Sequence, residues 1–144
     1  DAATSGSLFR KTCFDAVGGY DAALSIWEDI DLIIRLYGPG RFIHLPKPLY
    51  RHRLYGHNAS RNIPSLRALD GRRRFLDKHA ASCRPGTPEG DALSHDWAIY
   101  YADLGKHHLR ANTPTAARQA FQSALRHDPY NVKTWSRLVR SYFV

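Results

Sequence analysis

Methionine is absent from the 144 residues, and cysteine occurs only as Cys13 and Cys83. Two cysteines so far apart form no CxxC pair. That removes a structural zinc site and a disulfide framework and leaves two free thiols, the pattern of a reducing compartment. No apolar run approaches the length of a membrane span, and no signal peptide is visible. Acids are scarce: 13 Asp and Glu face 21 Lys and Arg, for a net charge of +8. The imbalance favours phosphate, diphosphate or anionic membrane surfaces as partners without choosing among them. The chain begins at Asp1, in mid-pattern, and is expected to be a piece of a longer protein. A cytoplasmic location is expected, with peripheral attachment at the inner face of the membrane. Hydrophobic residues at 43% and charged residues at 24% are ordinary values for a soluble fold of this length.

Against that basic background one stretch stands out: Ser25-Ile-Trp-Glu-Asp-Ile-Asp-Leu-Ile-Ile-Arg35. Ser25 with Glu28 three residues later fits a capping box, so a helix is expected to begin there and to stop at Gly38-Pro39-Gly40. Asp29 and Asp31 fall roughly 200° apart around such a helix. They therefore face opposite ways and do not form the paired-carboxylate site of a glycosidase. Asp31 meets Arg35 at the i,i+4 spacing of a surface ion pair. Asp29 shares its side with Leu32, Ile33 and Leu36. A carboxylate there is either a partner of the helix dipole or a working acid/base group.

Around this helix the chain reads as short pieces. Arg10 to Val17 is a short helix with Phe14 and Val17 inward and Gly18-Gly19 as its stop. Arg41 to Leu45 and Leu49 to Arg53 are strand-like, with Pro46 and Pro48 bracketing a turn. A basic and aromatic run follows: Tyr50, Arg51, His52, Arg53, Tyr55, His57 and Arg61. Pro64 opens a helix to about Ala81, with Leu66, Leu69, Phe75 and Leu76 on its apolar side and Arg67, Arg72, Arg73 and Arg74 on the rest. Prolines and glycines between Ser82 and Gly90 mark a linker, drawn over residues 82–93. The expected division is 1–81, then that linker, then 94–144.

The last segment carries Tyr101, Leu104, Gly105, His108, Ala117, Phe121, Ala124 and Pro129 in a fixed register counted from Ala98. It resembles a tetratricopeptide repeat, with Thr113-Pro114 opening its second helix and Trp135, Leu138 and Tyr142 placed for the next repeat. His108 stands where tyrosine is usual.

Ser5-Gly6-Ser7-Leu8-Phe9-Arg10, Val17-Gly18-Gly19-Tyr20-Asp21, Trp27-Glu28-Asp29-Ile30-Asp31-Leu32 and Arg35-Leu36 occur in that order. Leu45-Pro46-Lys47-Pro48-Leu49-Tyr50, Arg53 and Asn58-Ala59-Ser60 follow. Together they resemble the acceptor-side part of a family 2 glycosyltransferase of GT-A type. The resemblance covers about the first sixty residues. It implies an α/β fragment, mostly helical with a few short strands, followed by an all-α helical hairpin.

The same resemblance implies inverting transfer from a nucleotide-sugar donor to a sugar, lipid or protein acceptor. Asp29 is the implied general base, which takes the proton of a poorly nucleophilic hydroxyl as it attacks. Glu28 and Trp27 support it, by capping and by offering a flat face to a sugar ring. Arg51, Arg53, Tyr55 and His57 are the implied diphosphate-side residues, with Tyr55 standing where histidine is frequent. A divalent metal, Mg or Mn, is implied for the full-length enzyme. The only Asp-x-Asp spacing belongs to the acidic helix, so no metal and no independent transfer are expected of this chain alone. The helical tail is a candidate surface for a protein partner or self-association. The alternative reading is a non-enzymatic helical-repeat module whose basic face takes an acidic peptide, a membrane surface or nucleic acid. Nucleic acid is disfavoured, because no nucleic-acid-binding module is recognisable.

Overall fold

The structure is a computed structural model, and it describes residues 6–51 and 65–143. Six helices form among them: α1 (Lys11–Ala16), α2 (Glu28–Leu36), α3 (Leu66–Ala80), α4 (Pro88–Arg110), α5 (Pro114–His127) and α6 (Val132–Arg140). No helix among the described residues is long and apolar enough to cross a membrane.

The α/β expectation is corrected: no strand forms among the described residues. Residues 41–51 stay exposed throughout. A strand needs a neighbour to exchange its N–H and C=O groups with, and this run closes on itself instead. Lys47 N–H donates to Leu45 O at 2.8 Å and Leu49 N–H to Lys47 O at 2.9 Å, three-residue turns spaced by Pro46 and Pro48. The β-like composition of Arg41 to Leu45 therefore has no ladder to join. The second expected strand runs past Arg51 to Arg53, which lies outside the described residues.

The chain divides into two compact units between Asn62 and Ile63. In the first, Gly18 and Gly19 end α1 as a Schellman turn. Gly18 N–H donates to Asp15 O and Gly19 N–H to Phe14 O, both at 3.0 Å, with both glycines at positive φ. A Cβ on Gly19 would sit 2.9 Å from the Phe14 ring, so the second glycine is required by space as well as by conformation. Phe14 in turn meets Tyr20 edge-on at 5.7 Å. α2 buries Leu32, Ile33 and Leu36, together with Leu24 from the preceding loop.

The second unit holds α3 to α6. It includes α3, which the sequence pattern had grouped with residues 1–81, because Leu69, Phe75 and Leu76 are buried in it and Arg72 pairs with Asp103 of α4 at 3.2 Å. The linker drawn over residues 82–93 is shorter in the structure. Thr87 Oγ1 accepts from Gly90 N–H at 3.1 Å, and Pro88 opens α4 at its first position. Ser65 and Asn131 cap α3 and α6 in the same way.

The centre of this unit is Phe121, fully buried with Ala117, Leu125 and Leu138, and with Leu109 against them. α4 and α5 make a close antiparallel hairpin because Gly105 lets the Phe121 ring lie on the α4 backbone: a Cβ there would be 2.5 Å from the ring. Gly105→Ala is expected to lower the stability of this unit by about 1–3 kcal/mol through overpacking. Urea denaturation followed by far-UV circular dichroism measures it, and an unchanged midpoint would contradict the packing described.

Candidate active site

The acidic helix begins two residues later than its sequence pattern indicates. Trp27, not Ser25, is the N-cap, and Trp27 itself makes no side-chain capping bond, so the expected placing of the N-cap at Ser25 is corrected. The physical reason is the Trp27 backbone, which takes the left-handed conformation at φ 62°. That conformation costs a residue with a Cβ roughly 1–2 kcal/mol. It redirects the chain just before Glu28, whose own place is the first residue of the helix. Trp27, Glu28 and Asp29 are all half-buried.

The two aspartates have different fates. Asp31 is completely buried, and the surface ion pair expected of it is an internal one. Arg35 Nε donates to Asp31 Oδ2 at 2.8 Å and its Nη2 lies 2.6 Å from the same oxygen. The guanidinium also reaches back to α1: Nη1 donates to Val17 O at 2.5 Å and Nη2 to Gly19 O at 2.8 Å. One planar fork thus neutralises a buried carboxylate and satisfies two carbonyls at the end of α1. The Gly-Gly-Tyr-Asp stretch is thereby tied to the Glu-Asp helix. Asp21 completes that stretch with an Asx turn, its Oδ1 accepting from Ala23 N–H at 2.9 Å.

Asp29 stays on the same side of α2 as Leu32, Ile33 and Leu36 and forms no ion pair among the described residues. Its Oδ1 accepts from Ile30 N–H at 2.8 Å. The outer side of α2 instead carries Ile30 and Ile34, 38% and 43% exposed.

The remaining expected site residues are only partly placed. Arg51 is exposed, and no ion pair joins it to Asp29. Arg53, Tyr55 and His57 lie outside the described residues. Tyr50 is brought to the start of the unit: Gly6, at φ 84°, packs so closely on it that a Cβ would be 2.9 Å from Tyr50 Cβ. The Ser-Gly-Ser and Pro-Leu-Tyr stretches therefore meet. Among the described residues no three His, Cys, Asp or Glu side chains converge as a metal would require. They do not by themselves make the divalent-metal site that the resemblance implies.

No family model matches the chain, and no curated protein or solved structure matches it.

A second cluster, in the helical unit, was not indicated by sequence patterns. Trp97, Tyr101 and His127 lie nearly parallel, with Trp97–Tyr101 centroids 5.5 Å apart and Tyr101–His127 centroids 5.9 Å apart. Ser94 Oγ is 3.2 Å from His127 Nδ1. Trp97 and Tyr101 stand four apart on α4, a pairing visible in sequence, but His127 reaches them only through the hairpin. Across α4, the Arg72–Asp103 bridge is mostly buried. Burial lowers the Arg72 pKa despite the nearby Asp103 and Asp96, and burial raises that of Asp96 against the pull of Arg72. Both directions say that desolvation outweighs attraction at this group of charges.

Two outcomes follow from these clusters. Asp31→Asn strands Arg35 and is expected to cost the first unit about 3–5 kcal/mol. Hydrogen exchange of the α2 amides reads it, with α5 as internal reference, and undiminished protection of α2 would refute the clamp. Burial also lowers the His127 pKa from its ordinary 6.5, so the fold prefers the neutral ring. That stabilisation is complete above the unfolded-state pKa and is lost as pH falls through the lower folded-state value. His127→Gln is therefore expected to flatten the loss of stability on acidification below about 6.5. Identical slopes for the two proteins would rule it out.

Proposed function

We propose that the stretch from Ser5 to Ser60 is the acceptor-side part of a family 2, nucleotide-sugar-dependent inverting glycosyltransferase, with Asp29 as its general base. The observation that carries the reading is the division of labour on α2. Asp31 is buried and neutralised by Arg35, while Asp29 remains half-accessible and forms no ion pair among the described residues, in the first turn, a position that suits a carboxylate. The left-handed Trp27 backbone adds weight, because strain of this kind collects where a chain must present a side chain in one direction.

In this reading the Asp29 carboxylate takes the proton of the acceptor hydroxyl as its oxygen attacks the anomeric carbon. The nucleoside diphosphate departs from the opposite face, and configuration inverts in one displacement. Trp27 offers its ring to the acceptor sugar, and Glu28 stands beside it at the first position of α2. Arg51, Arg53, Tyr55 and His57 are the candidate contacts to the diphosphate. The first unit exposes Tyr37, Phe42, Ile43, Leu45 and Leu49 as well as Ile30 and Ile34. So much apolar surface on a small unit fits a region that packs against further protein, here the donor-binding half of the transferase. The helical unit is proposed as a tetratricopeptide-like tail, supported by the burial of Gly105, Ala117, Phe121 and Ala124 at the small and large positions of that repeat. A cytoplasmic site of action, at the inner face of the membrane, accompanies this proposal.

The alternative, a basic binding face on α3, has less support. Arg72, Arg73 and Arg74 are engaged by Asp103, Asp77 and Asp70 respectively.

In the full-length protein, Asp29→Asn is expected to lower sugar transfer by about 10²–10⁴. Donor binding, measured by calorimetry, is expected to stay unchanged. Near-normal turnover in that variant would end the base assignment.

A further inference from the structure

Arg35 makes more contacts than neutralising Asp31 requires. Its Nε and Nη2 take the carboxylate, and Nη1 and Nη2 reach Val17 O and Gly19 O, eighteen and sixteen residues back in sequence. One counter-charge would answer Asp31, so the two carbonyl contacts add direction rather than charge balance. They are shielded from water, with the Arg35 side chain 22% exposed and that of Asp31 fully buried. Competition from solvent is therefore small, and the planar fork holds one angle between α2 and the end of α1.

Apolar packing gives this angle little help. α1 has six residues, and none of them is buried. α2 buries Leu32, Ile33 and Leu36, but burial of apolar area is non-directional and does not by itself fix a helix's tilt. A further link, Cys13 Sγ donating to Pro39 O at 3.7 Å, uses a weak donor. Both links meet the C-terminal end of α2, whereas Asp29 stands near its start. Asp29 and Arg35 are six positions apart, about 9 Å along the helix at 1.5 Å per residue. A tilt of about 10° at the clasp would displace Asp29 by about 1.5 Å. Misplacement of a reacting group by roughly 1 Å can cost about 10²-fold in rate.

We propose that Arg35 is a positioning residue for Asp29, holding α2 at the one angle to the α1 turn that aims this carboxylate at the acceptor hydroxyl. Arg35 acts through the helix rather than on the carboxylate itself. The catalytic consequence rests on the transferase reading above, whereas the orientation of α2 is measurable without it.

Two variants remove the fork without stranding a charge in the interior. Arg35→Lys keeps a cation beside Asp31, and the double variant Asp31→Asn, Arg35→Gln removes both charges together. Residual dipolar couplings of the α1 and α2 amides in the 144-residue chain read the angle between the helices, and hydrogen exchange shows that both still form. Both variants are expected to keep helical couplings within α2 and to shift or average them relative to those of α1. The double variant decides where Arg35→Lys leaves α2 unprotected. Couplings identical to the wild type would overturn the proposal. In the full-length protein, turnover is read as nucleoside diphosphate released from UDP- and GDP-hexoses. Either variant is expected to lower kcat about 10- to 100-fold, with KM for the donor within about twofold. Neither is expected to lower it further in an Asp29→Asn background, because the effect passes through Asp29. A displaced α2 with unchanged kcat, or an equal further loss in the Asp29→Asn background, would overturn the role. Near-normal turnover in Asp29→Asn alone is the failure of the base assignment, and the positioning role falls with it even where α2 has moved.

Discussion

A carboxylate with no access to water has to be answered, and in the first unit the answer organises everything else. Asp31 is fully buried, and the Arg35 guanidinium that neutralises it has donors left over. Those donors go to Val17 O and Gly19 O. The pairing thus works as a clasp between two helices that are too short to hold each other by apolar area. Replacing it with lysine would keep the charge and lose the fork, because an ammonium does not present parallel donors in a plane. A buried ion pair is weak evidence for stability in itself. Here it is better understood as fixing one arrangement of the Gly-Gly-Tyr-Asp turn on the Glu-Asp helix.

That fixed arrangement is what gives Asp29 its interest. The two acids of this turn face opposite sides of α2. Asp31 is buried against Arg35, and Asp29 keeps an oxygen toward the Ile30 amide while forming no ion pair among the described residues. The Trp27 backbone, held left-handed immediately before, fixes where the helix begins and hence where Asp29 stands.

The helical unit rests on a different constraint, which is steric. Phe121 fills the space that Gly105 leaves, and Ala117 and Ala124 keep α5 close to α4. Polar groups are then added at a cost: Arg72, paired with Asp103, and Asp96 sit where burial dominates the titration of Arg72 and Asp96. Such a group of charges contributes more to the choice of one packing of α3 on α4 than to the net free energy.

Local signals in the sequence determined a good deal. Gly18-Gly19 marks the end of α1 because two successive positive φ values suit only residues without a Cβ. Asp31 and Arg35 pair because four residues bring them to one side of a helix. Thr113-Pro114 opens α5 because a proline loses nothing at the first position. Tertiary structure decided the rest. Whether the Asp31–Arg35 pair is wet or dry depends on what covers it, which i,i+4 spacing does not encode. Whether Arg41 to Leu45 becomes a strand depends on a neighbouring edge, which composition does not supply. The start of α2 was moved by a backbone angle at Trp27 that no residue type announces, since tryptophan is a poor candidate for it. The meeting of His127 with Trp97 and Tyr101, like that of Gly6 with Tyr50, needed chain segments distant in sequence to fold together.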